Sequence, residues 1–195
     1  CKKSTVVFNK ENKVVKVINK PKEEGHVNLR YILDSQPLSL LNKKLCDFDE
    51  SLCSTSTYLS KDRYVKKYFT RMYVSILLHE SLNFKYNQNP NNPNIIGFAQ
   101  INTQLWNINK LRKFGYNISN VNELYDPEIN IKIGQMIFWH NLVVAYSLNP
   151  NKKTILDYAS SYYSLSMPKW YTDKIATIFF DKQKIEKVLD KNFER

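Results

Sequence analysis

Glycine is scarce in this chain, at four residues of 195. All-β sandwiches and barrels need many tight turns, and glycine is the usual residue in them, so the shortage argues for helices. Cysteine is rarer still, at three. Cys1, Cys46 and Cys53 form no Cys-x-x-Cys pair and no Cys/His ligand spacing, so no zinc site is expected. Histidine also numbers three, and none of His26, His79 and His140 stands at a recognisable spacing from a Ser or Cys nucleophile. No internal repeat is present, and no apolar run reaches the ~20 residues that a membrane-spanning helix needs.

What is present is basic and aromatic. Lys and Arg outnumber Asp and Glu by 29 to 18, a formal charge of +11, and there are 13 Tyr and 10 Phe. A positive chain suits an anionic partner: nucleic acid, an anionic bilayer or a carboxylate-bearing cell wall. The lysines are scattered and form no single basic stripe, which argues against nucleic acid. The length suits one domain, or one with an extension, and a core of that size buries roughly 70% of the unfolded surface.

The periodicity predicts a mainly α protein. Thr5–Phe8 and Val14–Ile18 are β-branched runs separated by the turn-prone Asn9–Asn12, the pattern of a weak hairpin. A charged connector, Asn19–Glu24, follows, and Pro37–Leu41 starts a short helix. Residues 1–58 read as an N-terminal extension or tether, and 59–195 as the main domain. The first long helix is expected from an N-cap at Ser60 to Leu82. Asn87–Asn94, with two prolines, is a loop. Asp126-Pro127 reads as an N-cap and first helical residue, opening a helix to about Leu148. A short helix is expected over Thr154–Ser164 and another from Pro168 to about Leu189. Cys46 and Cys53 are either a local disulfide or two free thiols. Cys1, followed by the polar Lys2-Lys3-Ser4, matches the acylated start of a bacterial lipoprotein. Membrane attachment would then come from lipid on Cys1.

One stretch carries chemistry. Val74, Leu77, Leu78 and Leu82 recur at helical spacing, and the run carries one carboxylate, Glu80, near its end. Most helical Glu residues are solvated, and Glu80 lies off the centre of the stripe. A carboxyl delivered by a helix end into a cleft is nevertheless one way to build a general acid, because burial raises its pKa.

The company of Glu80 supports the second reading. In order come Glu80-Ser81, then Gly97-Phe98-Ala99-Gln100-Ile101-Asn102, then Leu124-Tyr125-Asp126-Pro127-Glu128-Ile129-Asn130-Ile131 with Gly134, then Ala159-Ser160-Ser161-Tyr162, then Pro168-Lys169-Trp170-Tyr171. Over roughly residues 60 to 185 this resembles the soluble-type (SLT) lytic transglycosylases, which have a lysozyme-like fold. Each piece alone is weak; their order and spacing make the resemblance. The family's Tyr-Asn-x-Gly segment is replaced by Tyr162-Tyr163-Ser164-Leu165, and its Met before the Gln by Ala99.

The resemblance implies a lyase of murein degradation that cuts peptidoglycan between N-acetylmuramic acid and N-acetylglucosamine. Glu80 would act first as acid, then as base on the muramyl 6-hydroxyl, leaving a 1,6-anhydromuramyl end. Glu80 is thus the catalytic candidate. The substrate-binding candidates are Ser81, Phe98, Gln100, Asn102 and Tyr162. Ser81 is otherwise a polar residue closing the helix, Phe98 a wall or core residue, and Tyr162 either a partner of Glu80, a sugar platform or core. Neither metal nor cofactor is expected. The implied protein is a monomeric, periplasmic lipoprotein whose partners are glycan strands and a membrane, not nucleic acid. The alternatives are a weakened or non-catalytic peptidoglycan-binding lipoprotein and a hydrolytic muramidase.

Overall fold

The computed structural model describes residues 4–8, 14–19 and 25–194. Strands β1 (Ser4–Phe8) and β2 (Val14–Asn19) pair antiparallel, so the expected hairpin forms. Cys1, the Asn9–Asn12 turn and the connector from residue 20 to 24 lie outside the described residues. From His26 on, the chain is mainly helical. Strand β3 (His26–Asn28) leads into helices α1 (Leu29–Asp34), α2 (Leu38–Phe48), α3 (Cys53–Lys61) and α4 (Arg63–Glu80). A two-residue-stranded hairpin, β4 (Ile95–Ile96) and β5 (Ile101–Asn102), precedes α5 (Ile108–Lys113) and α6 (Pro127–Leu148). A 3₁₀ segment (Ile155–Tyr162), α7 (Lys169–Phe179), α8 (Lys182–Leu189) and β6 (Asn192–Glu194) complete it. β6 returns to pair antiparallel with β3, so the two ends of the helical body close on each other.

α6 is the axis. Ile131, Ile133, Met136, Phe138, Trp139 and Leu142 are buried around most of its circumference, which makes it a core helix wrapped by the others. Its start is the expected one: Asp126 Oδ1 accepts from the N–H groups of Glu128 (2.9 Å) and Ile129 (3.2 Å), with Pro127 at the first position.

Three expectations need correction. The long helix α4 starts at Arg63, and its N-cap is Asp62, whose Oδ1 accepts from Tyr64 N–H (2.9 Å) and Val65 N–H (3.1 Å). Ser60 belongs to α3 and donates back to Thr57 O. The segment from Trp170 to Leu189 is two helices, because Asp181 caps a new start at Lys184 N–H. The expected boundary at 58/59 is not a packing boundary. Leu29, Ile32, Leu41 and Leu45 are fully buried in the same core as α4 and α6. Gln36 donates to Gln135 Oε1 (2.8 Å), and Trp139 Nε1 donates to Ser56 Oγ (3.1 Å), so α1–α3 are bonded to the central helix. Cys46 and Cys53 form a disulfide that links α2 to α3. Among the described residues, no helix is long and apolar enough to cross a membrane.

Candidate active site

Glu80 is the last residue of α4, and its position is fixed by what stops that helix. Leu82, Asn83 and Phe84 all take left-handed backbone conformations (φ 48, 60 and 63°), a costly run for side chains other than glycine. Ser81 holds that turn. Its hydroxyl donates to Leu77 O (2.6 Å) and accepts from Phe84 N–H (2.7 Å), while its carbonyl accepts from the N–H groups of Lys85 (2.9 Å) and Tyr86 (3.0 Å). Ser81 is fully buried and does not line the cleft into which Glu80 opens. Its expected substrate-binding role is therefore replaced by a structural one: it closes the helix. Phe98 is likewise corrected. It packs edge-on to Phe84 (5.3 Å) and against Phe193 (5.6 Å), away from the cleft.

The cleft has a volume of about 720 Å³ and brings Glu80, Gln100, Asn102 and Tyr162 together with Trp106, His140, Asn141 and Tyr163. Gln100 sits at the end of the β4–β5 turn, which is locked from below. Asn130, buried in the first turns of α6, donates to Ile96 O (2.9 Å) and Leu124 O (2.9 Å) and accepts from Ala99 N–H (2.8 Å). Gly97 permits this approach: it has φ 78°, and a Cβ there would fall 1.9 Å from Asn130 Nδ2. Gly134, one turn further along α6, leaves room for Ala99 and Tyr73; a Cβ there would meet both at 2.4 Å. The Tyr162 hydroxyl donates to Ala99 O. Its hydrogen therefore goes to the turn and not to Glu80, and the ring stands edge-on to Phe138.

The Gln100 amide is aimed by its neighbours. Nε2 donates to Gly97 O (3.0 Å) and Oε1 accepts from Asn89 Nδ2 (3.2 Å), which leaves one hydrogen and one lone pair for a ligand. Asn102 Oδ1 accepts from Gln104 N–H (3.0 Å), so its amide hydrogens remain for the cleft.

Burial pushes the Glu80 carboxyl up to about 7. Tyr171, on α7, opposes this weakly. Its hydroxyl is buried and forms no hydrogen bond of full geometry; it faces Glu80 loosely, and that contact draws the carboxyl's pKa back down. The Tyr171 phenol is itself raised, first by burial and then by the Glu80 charge. At neutral pH Glu80 is close to evenly divided between acid and carboxylate, the condition under which one group can both give and take a proton. His140, which also lines the cleft, is lowered by burial, an effect partly opposed by its bond to Asn141. Among the described residues no other Asp or Glu lines the cleft, and none of them forms a His/Cys/Asp/Glu group able to hold a metal.

Sequence reasoning missed Trp106, Lys110, His140 and Asn141, and placed Tyr171 in the Pro168–Tyr171 segment without assigning it a role. A signal existed for two of them: Ile137, His140 and Asn141 stand at i, i+3 and i+4, which sets them on one face of α6. Comparison of the chain with protein families, characterised proteins and solved structures gave no match.

Proposed function

We propose that the protein is a peptidoglycan lytic transglycosylase with a lysozyme-like fold that acts on the bacterial cell wall. One observation carries the reading. Among the described residues, Glu80 is the sole carboxylate lining the cleft, and burial holds its pKa at about 7. Glycosidases that use water pair two carboxylates across the scissile bond, roughly 5–9.5 Å apart. A transglycosylase needs one that changes role.

Glu80 as the acid gives its proton to the glycosidic oxygen while the bond to the anomeric carbon breaks. The resulting carboxylate takes the proton of the muramyl 6-hydroxyl, whose oxygen bonds to that carbon. Glu80 ends protonated, no water is consumed, and the new end is a 1,6-anhydromuramyl ring. The spare hydrogen and lone pair of Gln100 suit an acetamido group. The exposed Tyr163 ring offers a flat face to a sugar, while Trp106 is buried in the wall. Lys110, 4.5 Å over the Trp106 ring, sets a cation at the rim, where the carboxylates of a peptidoglycan strand would pass.

The test is digestion of purified peptidoglycan by wild type and by Glu80→Gln, with products read by mass. Anhydro ends that vanish in the variant are expected. Hydrated muramyl ends alone would make the protein a hydrolytic muramidase. The replaced segment at Tyr163–Leu165 favours one further reading, a wall-binding protein that no longer cuts; binding to sacculi without release of fragments would identify it.

A further inference from the structure

A second cavity lies at the other end of α4. It has a volume of about 440 Å³ and shares no residue with the Glu80 cleft, a size within the usual range of ligand sites. It opens beside Val65, which precedes Glu80 by four turns of the same helix, or ~22 Å along its axis.

Its walls are phenolic. Tyr58 from α3 and Tyr64 from α4 are 59% and 48% exposed. Tyr58 leans on Tyr146 at the end of α6 (ring centroids 6.2 Å apart), and Tyr146 leans on Tyr158 (5.7 Å), giving a graded row of rings from rim to floor. The floor is rigid. Tyr158 is buried; its hydroxyl donates to Asn149 O (2.6 Å) and accepts from Lys152 N–H (3.3 Å), which fastens the loop forming the rim. That loop presents the side chains of Lys152 and Lys153. The lone carboxylate in the lining, Asp62, is engaged in capping α4. The cavity is thus preformed, aromatic and positive.

We propose that this cavity is a second binding site for an acidic saccharide strand, which it holds while the Glu80 cleft cuts elsewhere on the same polymer. Exposed tyrosines give flat faces for the C–H side of a sugar ring and hydroxyls for its polar edge, and the lysine pair answers a carboxylate on the strand. An amphipathic helix or a lipid surface calls for mainly aliphatic walls; here Leu59 and Val65 are buried, Pro150 and the half-buried Ile155 add a small apolar area, and the exposed tyrosines and lysines dominate the opening. Nucleic acid, which also stacks on tyrosine, calls for a continuous basic groove, and here the cations are two. The proposal rests on the peptidoglycan reading of the cleft.

The test is co-sedimentation of the full chain, carrying Glu80→Gln so that the polymer stays intact, with purified sacculi. Tyr58→Ala should weaken binding by about fivefold, the size expected for one lost aromatic face, and Tyr58→Trp should restore it. Lys152→Ala with Lys153→Ala should weaken it further at low salt than at high salt. With Glu80 restored, Tyr58→Ala should cut a short soluble glycan as fast as the parent does. Equal sacculus binding by parent and Tyr58→Ala overturns the proposal, as does a parent that binds no sacculi, or a Tyr58-dependent affinity for single-stranded DNA but not for sacculi. If anhydro ends are released while Tyr58→Ala binds normally, the second site fails and the cleavage reading stands. If no anhydro ends are released but Tyr58→Ala still loses binding, the reverse holds.

Discussion

Glu80→Gln should stabilise the fold, increasingly as pH rises from the ordinary carboxyl value of 4.5 toward neutrality. In the folded chain the carboxyl gives up its proton at about 7, against an ordinary value of 4.5. A pKa raised by folding means that the native state holds the proton more tightly than the unfolded state does. Below the ordinary value both states are protonated and the site costs nothing. As pH rises through the interval between the two values, stability falls, and beyond the upper one it stays lower by about 3 kcal/mol. Glutamine never ionises, so it escapes that loss while keeping the shape of the acid. The variant should match wild type at pH 4 and exceed it at pH 8 by about 3 kcal/mol, roughly 9 °C in midpoint for a chain of this length. Urea or thermal unfolding of both proteins at the two pH values measures it, since every other titrating group is common to the pair and cancels. On the proposed cleavage reading, the same ionisation sets the alkaline limb of the activity profile, with the rate falling above about pH 7 as the acid is lost. A variant no more stable than wild type at pH 8, or a gap of equal size at both pH values, would refute the argument that burial loads the carboxyl.

Tyr171→Phe removes the hydroxyl that draws the Glu80 pKa down, so the alkaline limb of the activity profile should move to higher pH; a profile at several pH values checks it. Gly97→Ala drives a Cβ into the Asn130 amide at a left-handed position, and should destabilise the fold by roughly 3 kcal/mol or more in urea titration, with activity lost at the same time. Opening the Cys46–Cys53 disulfide, which spans seven residues, should lower stability by about 2.4 kcal/mol from the freed chain entropy; Cys46→Ser with Cys53→Ser should reproduce the effect of reductant.

The parts of the site that could be read from the chain are those whose cause is local. An apolar run ending on one carboxylate places Glu80, and Asp126-Pro127 states where α6 begins because capping and a fixed φ act within a single turn. The neighbours of Glu80 in sequence were a poorer guide than its neighbours in space. Consecutive residues on a helix point about 100° apart, so Ser81 turns inward to bond Leu77 while Glu80 opens into the cleft. Phe98 and Gln100 are separated by the turn that sends one to the aromatic cluster of Phe84 and Phe193 and the other to the cavity. Tyr171 belongs to the Pro168–Tyr171 piece of the family resemblance, but its meeting with Glu80 depends on how α7 docks against α4. The same holds for Leu29, Ile32, Leu41 and Leu45: short, amphipathic helices look like an appendage until their partner face on α6 is known.

The turn at Leu82–Phe84 also governs where this chain can change over evolutionary time. With Ser81 bonded both back to α4 and forward to Phe84, Lys85 and Tyr86, the acid is moored before the exposed Asn- and Pro-rich segment begins. Growth or shrinkage of that segment between Asn89 and Asn94 would leave the proton donor's position untouched while reshaping the wall beside it. On the proposed reading it is a graft point for altering which strands are accepted while Glu80 keeps its place, provided Asn89 keeps its bond to Gln100.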